Sequence, residues 1–296
     1  MSRNLLRRPT DAAAPEYASV TPASAGWEWL HFGARRLNAG QIWEHNTGES
    51  ELALVILGGV CSVRASRGAW IEIGQRANVF SGFPYALYLP RRTAFTLTAH
   101  TDGFDVAYGW CAGDQDFPAA LVTPAQVTTE IRGGANATRQ ISGLLNPGFA
   151  CQRLVAVEVY TPSGNWSSYP PHKHDAHRVA SDGTLLEADL EEIYFYKIAP
   201  AGQTVPDGAG YAIQRVYTAD GGLDETVLAR TDDVVLVPEG YHPVVSAHGY
   251  HAYYLNFLAG SAQSLANMDD PAHAWVKATW NTQDPRLPLV TRAAAA

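Results

Sequence analysis

The apolar residues of this chain come in short runs of strand length, each closed off by turn residues, and almost never at the spacing of a helix. Glu51-Leu-Ala-Leu-Val-Ile-Leu-Gly58, Ala86-Leu-Tyr-Leu-Pro90, Leu154-Val-Ala-Val-Glu-Val-Tyr160 and Asp233-Val-Val-Leu-Val-Pro238 are all rich in β-branched or aromatic residues. A chain built this way has to hide its apolar side chains between sheets, so the pattern predicts an all-β sandwich or barrel. Only residues 118–126 and 261–267 leave room for short helices. With 296 residues, 46% of them hydrophobic and 17% charged, the chain can bury a large core and is long enough for either one large β domain or two smaller ones.

Internal repetition favours two. In the first half a turn at Gly40 leads to Glu51, at the start of a strand, and later to a strand ending Tyr88-Leu-Pro90-Arg-Arg-Thr93. In the second half a turn at Gly164 leads to Glu192 and the strand Ile193-Tyr-Phe-Tyr-Lys-Ile198, and later to Leu236-Val-Pro238-Glu-Gly-Tyr-His242. The shared order of glycine turn, acidic strand start and proline-ended strand predicts tandem units at 1–135 and 136–296. The break is placed within 128–146, where Arg132-Gly-Gly-Ala-Asn136 reads as a linker.

Charge and cysteine usage remove several classes of function. The formal charge is −8, from 21 Lys and Arg against 29 Asp and Glu, so a phosphate backbone is repelled and no nucleic-acid partner is expected. The three cysteines, Cys61, Cys111 and Cys151, show no CxxC spacing, and their odd number suits a reducing compartment. Arg3, Arg7 and Arg8 precede no apolar run of signal-peptide length, and no stretch approaches the ~18 apolar residues of a membrane span. A soluble, cytoplasmic protein without a membrane partner is expected.

The chemistry concentrates in the second half. In Tyr169-Pro-Pro-His172-Lys-His174 the two imidazoles are two residues apart, so in extended backbone they project into one space. By the same alternation Glu192, Tyr194 and Tyr196 share one face of their strand, while Glu191, Ile193 and Phe195 share the other. His242 follows Pro238 after a strongly apolar strand. Converging inside a barrel, His172, His174, Glu192 and His242 would form a mixed nitrogen and oxygen site for one divalent transition metal, zinc first, with manganese, iron or nickel as the other choices. A single histidine in a strand is more often a surface or core residue satisfied by a hydrogen bond, and it is the combination that argues for ligation. His177, His248 and His251 are rival imidazoles, and Glu191 is the rival carboxylate, separated from Glu192 by parity alone.

The order His-x-His, Glu, then a later His is the cupin metal signature. More specifically, Tyr-Pro-Pro-His172-Lys-His174-Asp, Leu-Glu-Glu192-Ile-Tyr-Phe-Tyr, Gln214-Arg-Val-Tyr-Thr218 and Val237-Pro-Glu-Gly-Tyr-His-Pro-Val-Val-Ser246-Ala247 resemble the 5-deoxyglucuronate isomerases of bacterial inositol catabolism over nearly the whole chain. The resemblance implies a bicupin, two tandem jelly-roll units of the sandwich or barrel type. It also implies, with the related 5-keto-4-deoxyuronate isomerases, ligation by His172, His174, Glu192 and His242. The first half lacks the set, with only His45 between Gly40 and Glu51 and with Thr93 where the second half has a histidine. The first half is therefore expected to supply packing, and its sheet edges a route to a homo-oligomer. The interval 175–191 is longer than in many cupins and would be either a lid or a solvated hairpin.

The implied reaction converts 5-deoxy-D-glucuronate to 5-dehydro-2-deoxy-D-gluconate, an aldose to ketose isomerisation of a small uronate-type sugar acid. Arg215 and Tyr217 share a face of their strand, and the expectation is that they turn inward, Arg215 to clamp the substrate carboxylate as a bidentate fork; the alternative is that Gln214 faces inward instead. Two other classes fit the same ligands: an iron-dependent dioxygenase and a non-catalytic sugar-binding bicupin.

Overall fold

The strand-length runs form antiparallel sheets throughout the computed structural model, which describes residues 4–11, 14–202 and 208–292. Arg3, at the start of the basic N-terminal stretch, lies outside the described residues. In the first half a six-stranded sheet has the order Ala120–Val122, Ala86–Leu89, Ser50–Gly58, Phe104–Ala112, His31–Leu37, Glu16–Val20. It faces a four-stranded sheet of Ile42–Asn46, Ala94–Ala99, Cys61–Ala65 and Gly68–Ile73. The second half repeats the plan. An eight-stranded sheet is built around Val234–Val237, Leu185–Pro200, Tyr250–Gly260 and Val155–Thr161, and it is backed by Trp166–Ser167, Val244–Ser246, Ala212–Tyr217 and Asp224–Ala229. The chain thus has the tandem jelly-roll architecture expected of a bicupin.

Alternation along the two central strands sorts their side chains. In Ser50–Gly58, Leu52, Leu54 and Ile56 fill the first sandwich with Trp43, Val63 and Leu97, whereas Ala53, Val55 and Leu57 face the second half. In Leu185–Pro200, Phe195 reaches across, and Phe32 of the first half packs 5.4 Å from Phe195 and 6.1 Å from Phe257 between ring centroids. The sheets approach so closely here that a Cβ at Gly109 would fall 2.5 Å from the Phe257 ring, so this strand position has to be glycine.

Two acidic residues fasten the halves reciprocally. Glu51 accepts hydrogen bonds from the backbone N–H groups of Gln152, Arg153 and Leu154 at 2.8, 2.7 and 3.0 Å. Glu191 accepts them from Glu28, from Trp29 at 2.8 Å and from Leu30 at 2.7 Å. Each carboxylate satisfies backbone donors just before a strand of the other half, donors that would otherwise be stranded at a buried junction. The counterpart of Glu51 is therefore Glu191, and the repeat in the sequence was aligned one residue out. Register shows the same: Leu52 pairs with Leu89 and Glu192 with Val237, each partner being the last residue of its strand. Where the second half places Glu192, the first has leucine.

The structure moves the expected boundary at 135/136. Thr128–Arg132 pairs with Arg139–Leu145 in the second-half sheet, so the change of sheet falls between Val122 and Thr128. Gly133 and Gly134 belong to a hairpin turn rather than a linker; Gly133 has φ 98°, and a Cβ there would strike the Ala137 carbonyl oxygen. Leu6–Arg7 also crosses over, pairing with Val234–Val237. The two stretches with room for a short helix form none: 118–126 contains the strand Ala120–Val122, and 261–267 is irregular. No helix among the described residues is long and apolar enough to cross a membrane.

Candidate metal centre

Three elements deliver the candidate ligands. His172–Lys173 is a short strand paired with Met268–Asp269, and His174 follows it. Glu192 lies on the central strand Leu185–Pro200, and His242 lies in the connection between Val234–Val237 and Val244–Ser246. His174, Glu192 and His242 are buried, and one ligand atom from each lies within 4.8 Å of the others, the one such group among the described residues. His174 Nε2 is 3.0 Å from Glu192 Oε2, and His242 Nε2 is 3.3 Å from the same oxygen. His172 stands at the edge of the group, its ring 4.8 Å from that of His242 and 6.4 Å from that of His174.

Hydrogen bonds fix which nitrogen of each ring faces the centre. His174 Nδ1 lies 3.1 Å from the carbonyl of Leu190, and His242 Nδ1 lies 2.9 Å from that of Gly240. A carbonyl only accepts, so each Nδ1 carries the proton and each Nε2 turns toward Glu192. Burial pushes His242 down to about 4, and burial followed by the neighbouring imidazoles holds His172 well below the usual range, so both are neutral. For His174 burial acts in the same direction, but the hydrogen bond and charge of Glu192 outweigh it and raise the pKa. Further out, Asp175 accepts from the backbone N–H of Gly240 at 2.9 Å and so steadies the turn whose carbonyl orients His242.

The rivals are placed elsewhere. Glu191 binds backbone across the junction of the halves, His177 is exposed against Ser261, His248 is exposed, and His251 Nδ1 accepts from the backbone N–H of Ser163. The interval 175–191 contains the strand Asp175–Val179, paired back onto Leu185–Pro200, with an exposed tip. None of its residues lines the cavity beside His172 and Glu192, and its paired strands and exposed tip match the solvated hairpin.

The inward orientation expected for Arg215 is overturned. Ala212–Tyr217 buries Ala212, Gln214 and Val216 and exposes Ile213 and Arg215. Arg215 forms a fork with Asp224 at 2.7 and 2.8 Å and stacks over Tyr217 at 4.0 Å. The other parity holds: Gln214 faces inward, where Tyr196 donates to its Oε1 at 2.8 Å. Tyr217 is buried but donates to Asp270 at 2.6 Å, and it does not line the cavity. The cavity holds residues the sequence reading missed, namely Arg132, Arg139, Ser168, Tyr254 and Asn256 beside His172 and Glu192, with Ile141, Val157, Val159 and Leu258 as apolar wall. Arg139 and Ile141 share strand parity, a signal hidden because the break between the units is expected within 128–146.

These residues suit a divalent metal. His242 Nε2 is buried without a hydrogen-bond partner, and it shares with His174 Nε2 the one carboxylate oxygen between them. An unprotonated nitrogen kept dry is costly unless a cation accepts its lone pair. Fold and site together define a bicupin with a His/Glu centre in its second half able to hold a metal ion. The solved Bacillus subtilis oxalate decarboxylase shares the fold at TM-score 0.62, with 14% identity over 91% of this chain and 80% of that one.

The chain belongs to the KduI/IolB family, whose sequence pattern matches residues 5–276. It is 40% identical over 277 residues to the 5-deoxy-glucuronate isomerase of Geobacillus kaustophilus, covering 93% of this chain and 96% of that protein. To the Bacillus subtilis 5-deoxy-glucuronate isomerase it is 34% identical over 87% of this chain and 91% of that one. The crystal structure of an IolB-like protein from Salmonella typhimurium superposes with a TM-score of 0.85 at 36% identity, over 93% of this chain and 99% of that one.

Proposed function

We propose that this protein is a 5-deoxy-glucuronate isomerase, converting the aldose acid to its ketose at a divalent metal held by His172, His174, Glu192 and His242. The observation that carries the reading is the convergence of His174 Nε2, His242 Nε2 and Glu192 Oε2 on one buried point, in a chain whose relatives bear that activity. A metal there supplies a Lewis acid for the negative charge that builds on the sugar oxygens during enolisation.

The chain's own groups supply the rest. Glu192 is the one carboxylate lining the cavity among the described residues. Beside it, Ser168 Oγ lies 3.1 Å from Tyr194 Oη and 3.4 Å from Tyr254 Oη. Burial raises both phenols above their ordinary range, so they keep their protons at neutral pH and can donate hydrogen bonds to a developing oxyanion. Ile141, Val157, Val159 and Leu258 keep water from the reacting carbons. Tyr217 is left as a support for the outer turn through Asp270.

Zinc is the first choice of metal because the donors are nitrogen and carboxylate oxygen, with manganese, iron and nickel as alternatives. The three free, buried cysteines support a cytoplasmic setting, and the proposed reaction supports a role in inositol catabolism. The tandem sheets support two units meeting between Val122 and Thr128, and their free edges support a homo-oligomer.

The test is proton NMR of uronate turnover together with metal analysis of the same sample, run without oxygen or nicotinamide. Turnover that a chelator stops, with solvent deuterium appearing in deuterated water on the hydroxymethyl carbon of the ketose, which was C1 of the aldose, is the expected outcome. Oxygen uptake by iron-loaded protein would instead make it a dioxygenase, and sugar binding without turnover a binding protein.

A further inference from the structure

Three arginines of the described residues are buried: Arg76, Arg91 and Arg139. Arg76 is paired with Glu158 at 2.6 Å, and Arg91 lies 3.2 Å from both Glu49 and Asp116. Arg139 differs. It is 5% exposed, no carboxylate of the described residues lies within 4.0 Å of it, and its one protein hydrogen bond runs from Nη1 to the carbonyl of Tyr169 at 3.2 Å. Burial pushes it down to about 10, and Arg132, opposite it in register, adds a second positive charge in the same direction. Arg132 itself is taken up by Glu130 through two bonds of 2.7 Å.

Arg139 lines the same cavity as His172 and Glu192, on the face shared with Ile141. A guanidinium taken out of water and left without an anion is costly to the fold, and such a charge is tolerated where a ligand brings the missing partner. We propose that Arg139 is the carboxylate-binding residue of the site, taking the acid end of a short polyhydroxy acid so that its carbonyl end lies at the His172, His174, Glu192 and His242 cluster. The planar fork suits a carboxylate better than a lysine would, since two parallel N–H bonds set the direction of the bound chain as well as its charge. Tyr169, whose carbonyl steadies Arg139, precedes His172 by three residues, so one segment positions both the anion site and a metal ligand. The identity of the reacting sugar rests on the isomerase reading. The ligand class rests on Arg139 itself.

The experiment uses the zinc-loaded full chain, Arg139→Met and Arg139→Lys. Calorimetry measures binding of D-gluconate and of D-gluconamide, which differ only in the carboxylate, while kcat/KM is followed on the uronate and metal content is measured for each variant. Wild type should prefer the acid to the amide by about 10- to 100-fold, as expected of charge-assisted hydrogen bonds. Arg139→Met should bring the two within about 2-fold and lower kcat/KM by about 100-fold with zinc content unchanged; Arg139→Lys should keep only a small part of the preference. An absent acid preference in wild type would overturn the proposal, and so would a folded Arg139→Met that keeps it. If Arg139→Met does not fold, wild-type gluconate binding by Arg139→Lys overturns it equally. Acid binding that depends on Arg139 without uronate turnover would refute the isomerase reading and leave this one standing, whereas uronate turnover indifferent to Arg139 would do the reverse.

Discussion

The adjacent glutamates Glu191 and Glu192 should respond in opposite ways to one change, carboxylate to amide. Glu191 accepts from Glu28 and Trp29 on Oε1 and from Trp29 and Leu30 on Oε2. A glutamine can turn its oxygen to Trp29 and Leu30, but its NH2 then faces the Glu28 N–H, donor against donor. Burial raises the pKa of Glu191 despite its backbone donors, so the charge itself adds nothing to the cost; hydrogen bonds to charged groups contribute about 1.5–3 kcal/mol each, and losing one of them should cost about that much. In a chain of this size that lowers Tm by roughly 2–5 °C. Metal content should not change, because Glu191 points to the junction between the halves. Glu192→Gln takes the negative charge from the position shared by His174 and His242, leaving an amide that is a poor metal ligand, and metal affinity should fall more than the ~10–100-fold typical of losing a supporting residue around a metal. Thermal unfolding with and without metal, and chelator competition with metal analysis, read both effects. Glu51→Gln should behave as Glu191→Gln does. If Glu191→Gln lost the metal while Glu192→Gln kept it, the strand would be displaced by one residue and the assignment of inner and outer faces reversed.

Other substitutions probe separate features. Arg215→Ala removes an exposed pair with Asp224, so stability should change by less than about 1 kcal/mol and kcat/KM on the uronate should stay within about 2-fold in a steady-state assay; a large loss of activity would mean that this strand face does reach the site. Glu158→Gln leaves the buried Arg76 without its counter-charge between the halves and replaces one of the two oxygens that accept from the Tyr160 and Tyr253 hydroxyls by an NH2, which should cost about 3–5 kcal/mol in denaturant unfolding while zinc stoichiometry is retained. Asp284, bonded to Arg286 and Asn165, is held down at about 2. Its folded pKa lies below its ordinary value, so its contribution is complete above pH ~4 and is lost as pH falls toward 2. Arg286 stands half in solvent, so screening keeps the contribution to about 1 kcal/mol, and wild type and Asp284→Asn should therefore converge in stability at low pH.

Much of the centre was legible because alternation in a strand is strict. His-x-His, the parity of Glu192 with Tyr194 and Tyr196, and a histidine after a proline-ended strand all depend on local backbone, and the structure brings His174, Glu192 and His242 together with His172 beside them. Parity could not say which face is inward without knowing what lies across from it. Arg215 and Gln214 were two equal choices until the packing put Gln214 against Tyr196.

The sequence by itself determined the all-β class, the duplication and the half that carries the candidate ligands, since each follows from side-chain periodicity and residue chemistry within a few positions. Only the tertiary structure decided that Glu191 and Glu51 are the matching pair, because their partners are backbone N–H groups more than 100 residues away and carry no side-chain signal. It likewise decided that Thr128–Arg132 belongs to the second sheet and that Arg139 lies buried without an acidic partner in the cavity. Burial and charge pairing are properties of what surrounds a residue, and for a strand those surroundings are assembled from segments distant in the chain.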